Sequence, residues 1–142
     1  MAIVVYSNLL VALASGHPRG RRVSQAILDW VNQGIGLHAP ELARYEFVNA
    51  LTRLIAAKAF PSNRIDDAWN DILILPITYH SLTSVRRTIE MSLALKRQSA
   101  YDSAYLALAE SLNAELYALD GPLYRNALGQ GFNVQLLKED GV

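Results

Sequence analysis

The chain has 142 residues, no cysteine, and 13 basic against 13 acidic residues. This length suits one domain over residues 1–142, and a hydrophobic content of 51% supports a buried core and argues against disorder. The lack of cysteine excludes a disulfide framework and a thiolate metal site, and the zero net charge provides no general basic field for nucleic acid.

The first elements are a strand, a helix and a second helix. Residues 3–5 are consecutive apolar residues typical of a buried strand, and a helix opens at Ser7. The polar stretch over residues 17–22 is predicted to be the loop that ends this helix. Apolar residues then recur with a helical period over residues 23–33, and Gly34 is a candidate for the left-handed residue that closes the second helix.

The rest of the chain continues this alternation. The predicted elements are, in order, a strand over 35–40, helices over 41–59 and 60–73, a strand over 74–81, helices over 81–96 and 101–112, a strand over 114–119, a helix over 120–128 and a strand over 132–137. Because Pro76 cannot donate to a ladder, its strand should be short or at an edge. The pattern predicts an α/β fold, with a parallel sheet of about five strands covered by helices on both faces.

The apolar beginning of the chain is interpreted as strand and helix rather than as a signal sequence. It lacks a basic leading region, and Ser7 and Asn8 interrupt its apolar run. No segment reaches the ~18 consecutive apolar residues of a membrane span. We therefore expect a cytoplasmic protein that does not contact a membrane.

Three acidic residues fall where a parallel sheet places ligand chemistry, which is at the ends of strands and in the first turns of helices. Glu46 lies early in the long predicted helix, Asp102 opens a later helix, and Asp120 follows an apolar strand. Each also has a structural explanation as a cap, a helix-dipole partner or a surface charge. Together they would repel one another, and Mg²⁺ would relieve that repulsion. Two such ions can activate a water molecule for phosphodiester hydrolysis.

Four stretches of the chain share the order and spacing of a known family. They read IVVYSNLLVAL, then APELARYEFVNAL around Glu46, then AYDSAYLALAESLNAELYALDGPL with Asp102 and Asp120, and finally GFNVQLL. They span the chain from Ile3 to about Leu137. In these stretches the sequence resembles the PIN-domain ribonucleases, specifically the VapC-type toxins of bacterial toxin–antitoxin pairs.

The resemblance implies a metal-dependent endoribonuclease that hydrolyses RNA with Mg²⁺ or Mn²⁺. Glu46, Asp102 and Asp120 match three of the family's four acidic positions, which implies catalytic and metal-binding roles for them. Asn8 matches a small polar residue that follows the first acid, and Tyr105 matches a recurring aromatic whose expected role is packing. The partners implied are RNA, a cognate VapB-like antitoxin that covers the active groove, and a second copy of the chain in a homodimer.

The chain departs from the family at the first acidic position, where Tyr6 stands in place of the metal-binding Asp. Ala118 also replaces a frequent Thr or Ser before the last acid. A phenol is neutral at pH 7 and a poor Mg²⁺ ligand, and its ring is large enough to fill the space of the ion. We therefore expect weak metal binding and an impaired nuclease. A single base change converts an Asp codon to a Tyr codon, so we hypothesise a recent inactivating change in an otherwise intact toxin.

Two further hypotheses concern what the chain does if it is not this nuclease. One is a degenerate, catalytically inactive PIN domain that binds antitoxin or RNA. The other is a flavodoxin-like or receiver-type domain, which is disfavoured because the chain has no glycine-rich phosphate loop.

Two groups of basic residues are candidates for RNA contact, and either could instead be ordinary solvated surface. They are Arg19, Arg21 and Arg22 after the first helix, and Arg86, Arg87, Lys96 and Arg97 later in the chain. The first group is the stronger candidate because it follows the helix that opens at the expected active edge. No role was assigned to His17, His38 or His80, which have no ligand spacing.

Overall fold

A computed structural model describes residues 1–96, 100–119 and 121–137. The predicted site residue Asp120 and the predicted RNA-contact residue Arg97 lie outside the described residues. Over the described part, the strands are β1 (Ala2–Val5), β2 (Gly36–Pro40), β3 (Ile77–His80), β4 (Glu115–Ala118) and β5 (Val134–Leu136). The α-helices are α1 (Ser7–Ala14), α2 (Gly20–Asn32), α3 (Leu42–Ala56), α4 (Ile65–Leu73), α5 (Val85–Ala94), α6 (Tyr101–Ser111) and α7 (Gly121–Gly129).

The five strands form one sheet in the order β3-β2-β1-β4-β5, and every adjacent pair is parallel. Strand β1 lies at the centre, where Val4 is in register with His38 of β2 and Leu116 of β4. Ile3 and Val5 are also buried, so both faces of β1 are covered. The predicted α/β class and five-stranded parallel sheet are confirmed.

Several boundaries differ from those predicted. β3 begins after Pro76 instead of crossing it, because proline has no N–H for the ladder, and β3 is indeed an edge strand. Helix α2 begins at Gly20, so Arg21 and Arg22 belong to a helix and not to a loop. Gly34 adopts the expected left-handed conformation, with φ of +75°.

Glycine at position 20 allows α1 and α2 to meet closely. A Cβ atom at Gly20 would lie 2.6 Å from the carbonyl oxygen of Ala12, which is well inside van der Waals contact. The tight corner therefore requires glycine. This close contact constrains the short connection between α1 and α2, which contains His17 and Arg19.

The apolar residues of the long helix α3 are only partly buried. Phe47 and Leu51 lie in the core, but Val48 is 53% exposed. Three apolar residues of α5 also face outward, since Val85 is 54%, Ile89 51% and Leu93 70% exposed. These residues leave an uncovered apolar helix face on the described chain. No helix among the described residues is long and apolar enough to cross a membrane.

Two histidines connect β2 to the edge strand β3. The Nδ1 atom of His38 and the Nε2 atom of His80 lie 2.8 Å apart, so one ring donates a hydrogen bond and the other accepts it. Burial lowers the pKa of His38 below the usual histidine value of 6.5, and the positive charge available to His80 lowers it further.

This lowered pKa predicts a loss of stability in mild acid. As the pH falls through 6.5, the unfolded chain binds a proton at His38 more readily than the folded chain does, so the free energy of unfolding decreases. Urea unfolding at pH 7 and pH 5.5 should show a smaller decrease for His38→Gln than for the unmodified protein. His80→Gln should fall between them, because it removes the second charge but leaves His38 buried. An identical decrease in all three proteins would contradict the assignment.

Candidate active site

The candidate site lies where β1 and β4 end side by side. The backbone N–H of Tyr6, directly after β1, donates to the carbonyl of Tyr117 in β4 at 3.0 Å. The backbone N–H of Leu119 donates to Oδ1 of Asn8 at 3.2 Å. After β1 the next strand along the chain is β2, which pairs with one side of β1. The other side of β1 pairs with β4, which comes later in the chain. The crevice at such a reversal of strand order is where open α/β sheets bind ligands.

Two helices supply carboxylates to this strand end. Glu46 borders the buried face of α3, one turn after the fully buried Ala43, and Asp102 lies in the first turn of α6. Both acidic residues are half-buried. Helix α6 has a largely buried face that includes Tyr105, one turn after Asp102. Helix α3 packs on α1 and β2, and α6 packs on β1, β2 and β4, so both helices bring their carboxylates toward Tyr6.

Two tyrosine hydroxyls donate to the two carboxylates. The Tyr6 hydroxyl donates to Oδ1 of Asp102, and the Tyr105 hydroxyl donates to Oε1 of Glu46 at 2.5 Å. The two phenol rings are in contact, with centroids 4.5 Å apart and an interplanar angle of 37°. Asp102, Tyr6, Tyr105 and Glu46 thus form a continuous series of contacts, which we call the tyrosine–carboxylate cluster.

Burial keeps Tyr105 in its protonated, donating form. Its side chain is fully buried. Burial is the largest factor that raises the pKa of Tyr105 far above its usual value, and the neighbouring charge of Glu46 raises it further. A hydrogen bond with Ser7 lowers the pKa of Tyr105, but burial and Glu46 together raise it by more. Tyr105 is therefore a neutral hydrogen-bond donor at any physiological pH.

An open cavity of about 610 Å³ lies beside the cluster. Its walls include His17 and Arg19 on one side and Asn49 and Arg53 of α3 on another, with Tyr101 at the start of α6. Arg19 is held in place by a 2.7 Å hydrogen bond from its guanidinium to the carbonyl of Leu137. Two arginines therefore line the same cavity as Glu46 and could contact a polyanion that enters it.

The structure brings Glu46, Asp102 and Tyr6 together, whereas Asn8 contacts backbone beyond β4. Tyr105 was expected only to pack, but it also donates to Glu46. Arg53 was not among the predicted site residues, although its spacing of seven residues from Glu46 places both on one face of α3.

His17 and Tyr101 were also missed as lining residues. No signal marked His17, whereas Tyr101 is adjacent to a selected acid. Asp120 lies outside the described residues, so its place in the site stays a prediction.

The described residues, as arranged, do not fit a divalent cation. Among them there is no group of three or more His, Asp or Glu side chains that could hold a metal ion. Both carboxylates in the cluster accept hydrogen bonds from phenols, and Tyr6 offers a neutral oxygen where the resemblance implies a carboxylate. Hard cations such as Mg²⁺ require anionic oxygen ligands, and one oxygen of each carboxylate in this cluster already accepts a hydrogen bond from a phenol.

Comparison with known proteins places the chain in a family. The PIN domain family model matches residues 3–127. The chain belongs to the PIN domain family. It is 32% identical over 128 residues to Ribonuclease VapC3 of Pyrobaculum aerophilum, an alignment that covers 87% of this chain and 92% of that protein.

A solved structure shares the fold of this chain. The crystal structure of PAE2754 from Pyrobaculum aerophilum aligns with a TM-score of 0.64 at 17% identity, covering 89% of this chain and 79% of that one. A PilT N-terminus domain protein, SSO1118 of Sulfolobus solfataricus, aligns with a TM-score of 0.48 at 17% identity over 96% and 87% of the two chains. The first alignment shows that this chain and PAE2754 share a fold.

The hydrogen bond from Tyr105 should contribute measurably to the stability of this PIN domain. Tyr105→Phe removes one oxygen and leaves Glu46 without this donor, and a hydrogen bond to a charged group contributes about 1.5–3 kcal/mol. Since Glu46 is half-buried and water can partly replace the donor, we expect the free energy of unfolding in urea to fall by about 1–2 kcal/mol. Tyr45→Phe is a matched control, because Tyr45 is 72% exposed and should change stability little. Equal effects of the two variants would argue against a structural role for this bond.

Proposed function

We propose that this PIN domain is a VapC-type toxin, an endoribonuclease that hydrolyses RNA phosphodiester bonds in the cytoplasm, and that Tyr6 impairs this copy. The observation that carries the proposal is the meeting of Glu46 and Asp102 around residue 6 at the end of the central strand. The 32% identity to Ribonuclease VapC3 across most of both chains supports the same function.

In this proposal Glu46, Asp102 and Asp120 are the catalytic carboxylates, with Mg²⁺ or Mn²⁺ as the cofactor of an intact site. Asn8 is a polar residue at the edge of the site, and its hydrogen bond to Leu119 supports a role in holding the ends of β1 and β4 together. Tyr6 occupies the first metal-ligand position and donates to Asp102. This contact supports impaired metal binding. The phenol lacks the negative charge of a metal ligand, and its hydroxyl occupies one oxygen of Asp102, a neighbouring proposed ligand.

The proposed RNA path runs along the cavity beside the cluster. Arg19 and Arg53 could contact phosphates, which attract arginine through charge and paired hydrogen bonds. The second basic group is a weaker candidate because Arg87 donates two hydrogen bonds to Glu110, at 2.8 and 2.9 Å. Its guanidinium already has a carboxylate partner, so the group following α1 remains the better candidate for RNA contact.

Restoring a carboxylate at position 6 should restore RNA cleavage. With Mn²⁺ or Mg²⁺ present, we expect Tyr6→Asp to cleave single-stranded RNA at least about 100-fold faster than the unmodified chain, since a metal at such a site contributes several kcal/mol to transition-state stabilisation. Cleavage of fluorescently labelled RNA, with antitoxin absent, measures the rate. Tyr6→Phe should stay as slow as the unmodified protein.

A double variant separates this activity from a contaminating nuclease. Tyr6→Asp combined with Glu46→Gln should lose the restored cleavage, because the second change removes a proposed catalytic carboxylate. Efficient cleavage by the unmodified chain would contradict the account of Tyr6. If Tyr6→Asp folds but fails to cleave while RNA is still bound, the alternative of a degenerate RNA-binding PIN domain is favoured instead.

The proposed partners are a VapB-like antitoxin over the groove and a second copy of the chain. The uncovered helix face supports the homodimer. Tyr45 of α3 and Leu82 of the loop before α5 line one cavity together with Thr88 of α5, and exposed apolar patches commonly mark interfaces. The exposed apolar residues of α3, this loop and α5, which we call the α3–α5 face, are Tyr45, Val48, Leu82, Val85, Ile89 and Leu93.

A charge placed in the α3–α5 face should separate the two copies. Ile89 is 51% exposed on α5, and Ile89→Glu would bury a carboxylate in an apolar interface, so we expect a shift from dimer toward monomer. Light scattering during gel filtration measures the mass of each species. Leu28→Glu is the matched control, because Leu28 is 59% exposed on α2, outside this face, and should leave the mass unchanged. A monomeric unmodified protein, or an equal effect of both changes, would contradict the assignment.

A further inference from the structure

We infer that the Tyr6 hydroxyl stands in for a divalent cation, so that the folded protein is held together at its acidic site without a metal ion. This inference rests on the proposed function, which is the reason for expecting a cation at these carboxylates. It goes further than impaired catalysis, because it concerns what stabilises Asp102 and Glu46 when no cation is bound.

The first support is that each carboxylate in the cluster has its own neutral donor. Asp102 accepts from Tyr6 and Glu46 accepts from Tyr105. A hydrogen bond to an ionised carboxylate is stronger than one between neutral groups. Replacement of a carboxylate by a phenol at position 6 also removes one negative charge from the strand end. Both effects reduce the repulsion that a cation would otherwise have to relieve.

The second support is the contact between the two phenol rings. Their ring centroids lie 4.5 Å apart, and Tyr105 is fully buried, so the Tyr6 ring rests against a fixed surface. The backbone of Tyr6 is also tied to β4 by its hydrogen bond to Tyr117. An ion that bound Oδ1 of Asp102 would have to displace the Tyr6 hydroxyl and disturb this ring contact. The arrangement therefore favours the metal-free cluster over an ion-bound one.

Thermal unfolding with and without metal tests the inference by a measurement that does not depend on catalysis. The unmodified chain should have the same Tm, within about 1 °C, in EDTA and in millimolar Mn²⁺, because bound ligand alone raises Tm by mass action. Tyr6→Asp should unfold at a lower temperature in EDTA and gain about 5 °C or more in Mn²⁺. Titration of Mn²⁺ followed by electron paramagnetic resonance should detect bound ion with Tyr6→Asp and none with the unmodified chain.

Tyr6→Phe isolates the hydroxyl, because it keeps the ring and its contact with Tyr105. Loss of one hydrogen bond to a carboxylate should lower its Tm in EDTA by about 3 °C relative to the unmodified protein. An unchanged Tm for this variant would overturn the inference even if Tyr6→Asp did not fold. Circular dichroism of each variant establishes that the fold is retained.

The outcomes also separate this inference from the proposed function. If the unmodified chain binds Mn²⁺ as well as Tyr6→Asp does, and Tyr6→Asp cleaves RNA, the inference is wrong and the proposed function stands. If folded Tyr6→Asp binds Mn²⁺ and gains stability from it but does not cleave RNA, the inference stands and the proposed nuclease function is wrong. A folded Tyr6→Asp that neither binds Mn²⁺ nor cleaves RNA overturns both.

Discussion

Strand β1 is hydrogen-bonded on both sides, and this central position determines where its last residue can lie. Pairing with β2 and β4 buries Ile3, Val4 and Val5 on both faces of the sheet, and each such side chain contributes about 1.5–3 kcal/mol when removed from water. The residue after β1 lies at the carboxyl end of this strand, in the crevice where the strand order reverses. Whatever residue occupies position 6 is therefore presented to α3 and α6.

The sequence was sufficient to predict the sheet because the strands are short, rich in apolar residues and separated by segments with a helical period. It was less informative about which helix faces are covered. Periodicity shows that Val85, Ile89 and Leu93 share a face, but it cannot show whether that face meets the sheet or the solvent. In the structure all three are exposed, as is Val48 of α3. A partner copy and a core produce the same apolar stripe, so only the packed chain distinguishes them.

The candidate site was predictable in part for a similar reason. Acidic residues at strand ends and in first helical turns can be found from the sequence, and Glu46 and Asp102 were found in this way. Their hydrogen-bond partners could not be found, because Tyr6 lies 96 residues from Asp102 and Tyr105 lies 59 residues from Glu46 along the chain. An aromatic residue one turn after an acid, such as Tyr105 after Asp102, indicates a packing role. The partner of its hydroxyl is Glu46, which a different helix supplies.

A phenol at position 6 has consequences that differ from those of a simple deletion of a ligand. Alanine there would leave Asp102 without this donor and the rings without contact, so the remaining carboxylates would still repel one another. Tyrosine instead adds a donor at the point where the acid was expected, and its ring packs against Tyr105, whose own hydroxyl donates to Glu46. A cation and a pair of phenols are thus two ways to hold the same acids together. Only the cation leaves a charge available to a phosphate, so the arrangement inferred to stabilise the site without metal is also the one proposed to impair RNA cleavage.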